Sequence, residues 1–121
     1  MIRGDIYYVR IGNEGVGSEQ KNDRYAVIIQ NNTGNRYSPT VIVAFISTAV
    51  HKAKLPTHVE IDITNSGIPE PSLIMCEQVR TLDKKRLVRK VGHLNATKKQ
   101  ELDVALCTSL GMGSIINQNA V

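Results

Sequence analysis

The chemistry-bearing residues of this chain gather at two places. Gly17-Ser18-Glu19-Gln20-Lys21-Asn22-Asp23-Arg24 is a polar stretch that stops abruptly at an apolar run. It would put a hydroxyl, a carboxylate, an amide and a guanidinium on one rim of a rigid element. Composition alone favours the blander alternative, a solvated connection between strands. The second place is Ser47-Thr48, which closes the most apolar stretch in the chain. If the two strands are neighbours, Thr48 lies beside Arg24. Together they offer a bidentate cation and a hydroxyl donor, the pair that a phosphate oxyanion requires.

Other catalytic signatures are missing. No G-x-S-x-G, P-loop or H-E-x-x-H pattern occurs. His51, His58 and His93 are scattered. A His51–His58 acid–base pair could be assembled by folding, but surface or strand-edge roles are the favoured reading. Cys76 and Cys107 lack C-x-x-C spacing and neighbouring histidines, so we read them as small apolar residues rather than redox or zinc-binding groups. The expectation is no metal and no cofactor.

The elements that must position these groups read as strands followed by a helix. Asp5–Ile11 and Tyr25–Gln30 are short runs rich in β-formers. Residues 31–39, dense in Asn, Gly, Ser and Pro, read as a loop with room for one helical turn. Thr40–Thr48 is the expected central strand. In His58–Ile63 the apolar residues Val59, Ile61 and Ile63 alternate with polar ones, predicting one buried face. Ser72–Cys76 and Gln78–Leu82 read as two further strands. A helix is expected from Asn95 or Thr97, with Thr97 and Gln100 at capping-box spacing and Leu102, Ala105, Leu106, Ser109 and Leu110 as its packing stripe. Gly111 and Gly113 should end it. The expected fold is mainly β with a C-terminal helix, a small and strongly bent β-barrel over residues 1–110, with 111–121 a loose tail.

The bulk numbers agree with one such domain. At 121 residues, folding hides roughly two-thirds of the unfolded chain's surface, enough for stability without staples. With four Tyr, one Phe and no Trp, the core must rest on Val, Ile and Leu. The net charge of +4 suits a polyanionic partner. The basic run Lys84, Lys85, Arg86, Arg89 and Lys90 is balanced between a solvated turn and an RNA or partner contact. No signal-peptide pattern follows Met1 and no apolar run is long enough to cross a bilayer, so the expectation is a cytoplasmic protein with no membrane partner.

Several motifs in order resemble the MazF/PemK-type mRNA interferases. They are R-G-D-I-Y-Y (Arg3–Tyr8), G-S-E-Q (Gly17–Gln20) leading to Arg24-Tyr25-Ala26-Val27-Ile28-Ile29-Gln30, and N-R-Y-S-P-T (Asn35–Thr40). K-A-K-L-P-T-H-V-E-I (Lys52–Ile61) and Glu77–Arg86 belong to the same pattern. One departure is Tyr25, where that family usually has Pro directly after the loop arginine.

The resemblance implies a CcdB/PemK-like barrel that works as a homodimer and is restrained by a labile, acidic MazE-like antitoxin. It implies metal-free cleavage of single-stranded RNA, in which the ribose 2′-hydroxyl attacks the adjacent phosphate. The ends left are a 2′,3′-cyclic phosphate and a 5′-hydroxyl. For that chemistry Arg24 stabilises the oxyanion and donates a proton, Thr48 donates a hydrogen bond to a phosphate oxygen, and Glu19 is the base toward the 2′-hydroxyl. Ser18, Gln20, Gln78 and Arg80 contact the RNA. The rival reading is a CcdB-like toxin that binds a protein target such as gyrase; Arg24 with Thr48 and the G-S-E-Q loop favour the nuclease.

Overall fold

The computed structural model describes residues 1–12, 16–17, 23–48 and 54–114. Six antiparallel strands form one sheet: β1 (Asp5–Val9), β2 (Arg24–Ile28), β3 (Thr40–Ser47), β4 (His58–Ile61), β5 (Ser72–Asp83) and β6 (Leu87–His93). They lie in the order β4-β5-β3-β2-β1-β6. Among the described residues three α-helices accompany them, α1 (Asn32–Tyr37), α2 (Ile63–Ser66) and α3 (Ala96–Ser109), with a short 3-10 turn at Lys84–Arg86. The mainly β architecture with a C-terminal helix is therefore as expected.

Apolar side chains alternate along the strands and cover both faces of the sheet. On one face Ile6, Val27, Ala44, Ile46 and Ile74 pack with Leu94, Leu102, Ala105 and Leu106, so α3 lies on this side. On the other Val9, Ala26, Ile28, Val43, Phe45 and Leu82 form a second cluster. A flat sheet of this size could not shelter that second face; a bend must. β5 supplies it. Between Ala44 and Phe45 of β3, the partner on β5 jumps from Val79 to Met75. Residues 76–78 are extra, and such an excess on one strand bends it and increases its twist. The Cys76 amide turns to the carbonyl of Thr57 at 2.9 Å, so the bulged backbone stays satisfied.

Four sequence expectations are corrected. The two strands Ser72–Cys76 and Gln78–Leu82 are one strand, because the bulge bends the ladder without ending it. Ile63 leaves the alternation: Asp62 caps α2, accepting from the Thr64 amide at 2.9 Å, and Ile63 is exposed. Of the two expected starts of α3, Asn95 is the cap, its side chain accepting from the Lys98 amide at 2.9 Å, but the helical stripe ends at Leu106, with Leu110 exposed.

The closed barrel is the fourth correction. The sheet is open, with β4 and β6 as its edges. What lies between those edges is α2 and the turn after it, not a ladder. A Cβ on Gly92 of β6 would sit 2.0 Å from the Ser66 carbonyl oxygen, and one on Gly67 (φ +82°) would sit 2.8 Å from the Val91 carbonyl oxygen. Backbone meets backbone there only because both residues are glycine.

The basic run is mostly tied into the fold. Lys84 donates to the Asn35 carbonyl, Arg86 to the Arg10 carbonyl at 3.1 Å, and Lys90 lies 3.2 Å from Asp5. Cys76 is buried, and burial pushes its thiol up to about 12, consistent with an inert apolar role. The expected tail falls largely on residues 115–121, which lie outside the described residues.

Asp5 gives the fold an acid-sensitive point. Its buried carboxylate accepts from the Ile2 amide at 2.9 Å and contacts His93 at 2.8 Å. Burial raises its pKa, but the Ile2 amide, His93 and Lys90 together outweigh that and hold it below the usual 3.8. A depressed carboxylate contributes stability that is present above its unfolded pKa and lost as pH falls through its folded value. Thermal melts of wild type and Asp5→Asn should therefore differ at pH 6 and converge as the pH falls through the ordinary carboxylate value of 3.8 and on below it. A constant difference would remove Asp5 from the acid response.

Candidate active site

Arg24 is the first residue of β2, and its neighbour Asp23 fixes that start. One Asp23 oxygen accepts from the Ile11 amide at 2.7 Å and the Gly12 amide at 2.9 Å, just past the end of β1. The Gly12 amide, then that of Ile11, holds the Asp23 carboxyl below the usual range, so the clamp persists as an anion at neutral pH. Asp23 had no role assigned from sequence. The signal for it is non-local, since it depends on β1 and β2 pairing.

Register does the rest. β2 and β3 pair Ala26 with Phe45 and Val27 with Ala44, a register that carries the start of β2 toward the Ser47–Thr48 end of β3. Tyr8, Asp23, Arg24, Tyr25, Ile46, Ser47 and Thr48 line a cleft of about 300 Å³. Sequence reading placed Arg24 beside Thr48, and the structure brings them into this one cleft. Arg24 is half-buried and Thr48 exposed at its mouth. Burial pushes the Arg24 guanidinium down from its ordinary value.

Gln78 and Arg80 are not among the cleft's lining residues. They stand on β5, beyond β3, and Arg80 pairs with Val43, four residues along β3 from Ser47. At ~3.3 Å per residue that is about 13 Å along the strand. Ser18, Glu19 and Gln20 lie outside the described residues, as does His51. Sequence reading missed Tyr8 as a cleft residue, because only the pairing of β1 with β2 carries it there.

A larger cleft, about 440 Å³, runs between residues 54–59 and α3. It holds His58, but both ring nitrogens of His58 are engaged, with the Leu55 amide at 3.2 Å and Glu77 at 3.0 Å. Its walls are largely Leu55, Pro56, Val59, Val104 and Ala105, and it lacks the guanidinium–hydroxyl pair. The guanidinium and hydroxyl groups that could hold a phosphate line the smaller cleft. Among the described residues no three His, Cys, Asp or Glu side chains converge as metal ligands would.

Comparison with known proteins decides the family. Residues 2–110 match the PemK-like, MazF-like toxins of type II toxin–antitoxin systems. The chain belongs to the PemK/MazF toxin family. A relative from Staphylococcus epidermidis, endoribonuclease MazF, is 51% identical over 112 residues, covering 93% of this chain and 92% of its own. MazF from Deinococcus radiodurans shares the fold with a TM-score of 0.77 at 17% identity, over 93% of this chain and 97% of that one. A mycobacterial endoribonuclease in complex with its cognate antitoxin superposes with a TM-score of 0.75 at 23% identity, over 93% and 96% of the two chains. The cleft lies at the start of β2, which follows the G-S-E-Q stretch in sequence.

Proposed function

We propose that the chain is the toxin of a type II pair and cuts single-stranded RNA at the Arg24 cleft without a metal ion. The observation that carries the reading is the half-buried Arg24 in one cleft with Ser47 and Thr48, in a chain 51% identical to a named endoribonuclease.

The chemistry follows from those groups. A phosphate held in the cleft accepts from the Arg24 guanidinium and the Thr48 hydroxyl. The ribose 2′-oxygen attacks phosphorus as its proton passes to Glu19. Negative charge then grows on the non-bridging oxygens, where a preorganised cation out of bulk water stabilises it most. The 5′-oxygen leaves with a proton from Arg24, whose lowered pKa eases that transfer. Ser18 and Gln20 hold the RNA near the reacting bond, while Gln78 and Arg80 hold nucleotides further along. The protein acts in the cytoplasm as a homodimer, whose two-fold axis joins two such clefts into a longer groove. An acidic MazE-like antitoxin occupies the groove in place of RNA, drawn by the +4 charge.

Incubating the purified protein with a long single-stranded RNA in EDTA tests this. Discrete fragments that share a short sequence at the new ends are expected, and adding an acidic antitoxin should leave the RNA intact. Uncut RNA together with inhibited gyrase would establish the CcdB-like alternative instead.

A further inference from the structure

The cleft has an aromatic wall that phosphate chemistry does not use. Tyr8 and Tyr25 stand directly opposite each other on β1 and β2. Their ring centroids are 5.6 Å apart at 73°. Arg89, the register partner of Tyr8 on β6, lays its guanidinium 4.7 Å from the Tyr8 centroid. Three adjacent strands thus contribute one planar group each to a row across the sheet, and the two rings line the cleft that holds Arg24.

Core packing accounts for part of this row, since Tyr25 lies against the α3-side cluster, but not for Tyr8 or Arg89. The buried core is aliphatic apart from Phe45, and neither tyrosine is buried. Arg89 is exposed, so a cation is held on an aromatic face at the surface, where such contacts contribute least. Among a total of five aromatic residues, two stand at one cleft. Planar aromatic and guanidinium faces are what an unstacked nucleobase takes up.

We propose that Tyr25, backed by Tyr8 and Arg89, is a nucleobase-stacking subsite that holds a base flanking the scissile phosphate. This rests on the reading of the Arg24 cleft as the site of RNA cleavage. Tyr8 and Arg89 are positioning residues: they fix the plane of the aromatic wall, and Tyr25 gives the base its face. The subsite also explains Tyr25 where the family resemblance leads one to expect Pro. A proline would stiffen the entry to β2 but offer no aromatic face.

The test uses a short RNA with one cleavage site and copies carrying an abasic nucleotide at each flanking position. Steady-state kinetics are measured for wild type, Tyr25→Phe and Tyr25→Leu. Stacking one base on an aromatic side chain is worth about fivefold to a hundredfold in binding. Tyr25→Leu should raise KM within that range and leave kcat within about twofold, the pattern of lost uniform binding. Tyr25→Phe should keep the wild-type KM. One abasic position should raise the wild-type KM by a similar factor and add nothing in Tyr25→Leu, since both changes remove the same contact. Unchanged KM in Tyr25→Leu, or losses that simply multiply, would overturn the subsite. Wild type indifferent to every abasic position would overturn it too, even if Tyr25→Leu fails to fold. Absence of any cleavage by wild type would instead overturn the reading of the cleft itself.

Discussion

Arg24→Ala should lose RNA cleavage by about a hundredfold or more while the protein stays folded, because a preorganised charge stabiliser at the reacting phosphate is worth that much. The side chain is well placed for such a role. It opens β2, the Asp23 clamp on the Ile11 and Gly12 amides fixes its backbone, and burial keeps its charge from being diluted by water. Lysine would keep the charge but lose the planar fork that meets two phosphate oxygens, so Arg24→Lys should recover only part of the rate. A gel assay gives the rates, and the melting temperature shows that the fold survives. Near wild-type cleavage by Arg24→Ala would remove this residue from the mechanism and leave the cleft without its cation.

The largest structural effect is expected at Gly92. A methyl group there would lie 2.0 Å from the Ser66 carbonyl oxygen and 2.9 Å from its carbon. Both are backbone atoms at the end of α2, whose turn is already set by the Asp62 cap and by Gly67 in the left-handed region. Nothing flexible can give way, so β6 and α2 must move apart. Gly92→Ala should cost about 3 kcal/mol or more and lower the melting temperature by roughly 10 °C or more. Gly12→Ala is the comparison. Gly12 has a positive φ of 66° but open space around its Cβ position, so only backbone strain opposes it, worth about 1 kcal/mol. Equal melting temperatures for the two variants would show that the α2–β6 contact is soft.

The contrast between those glycines bears on what the sequence could reveal. Local signals were legible where one residue's neighbours in the chain are also its neighbours in space. The β-rich runs at Tyr25 and Thr40, the alternation of Val59 with Ile61, and the Leu102–Leu106 stripe are of that kind. The joining of Ser72–Cys76 to Gln78–Leu82 was not legible. Glu77 interrupts the apolar run, and it can do so inside a strand because its carboxylate meets Thr57 and His58. Nor was the open edge legible, because Gly67 and Gly92 lie far apart in sequence and each alone reads as a turn or a weak strand position.

The candidate site divides the same way. Arg24 and Thr48 could be brought together in thought because two consecutive long strands usually pair antiparallel. Asp23 as a clamp, and Tyr8 as the far wall with Arg89 against its ring, required the β2-β1-β6 order, which joins the start of the chain to a strand some eighty residues later. Gln78 and Arg80 stand outside the cleft, for an equally non-local reason. The bulge in β5 and the intervening β3 set them apart from the Arg24 cleft, a separation that only the strand order reveals.

The attacking group in the proposed cleavage is the RNA's own 2′-hydroxyl, and the product ends report it. Cleaving a defined oligoribonucleotide in EDTA and weighing the fragments by mass spectrometry should show a 2′,3′-cyclic phosphate on one side of the cut and a 5′-hydroxyl on the other. The same oligonucleotide with a single 2′-deoxy sugar at the cut position should remain whole. A 5′-phosphate end, or cleavage of the deoxy-substituted strand at that position, would contradict the mechanism assigned to the Arg24 cleft.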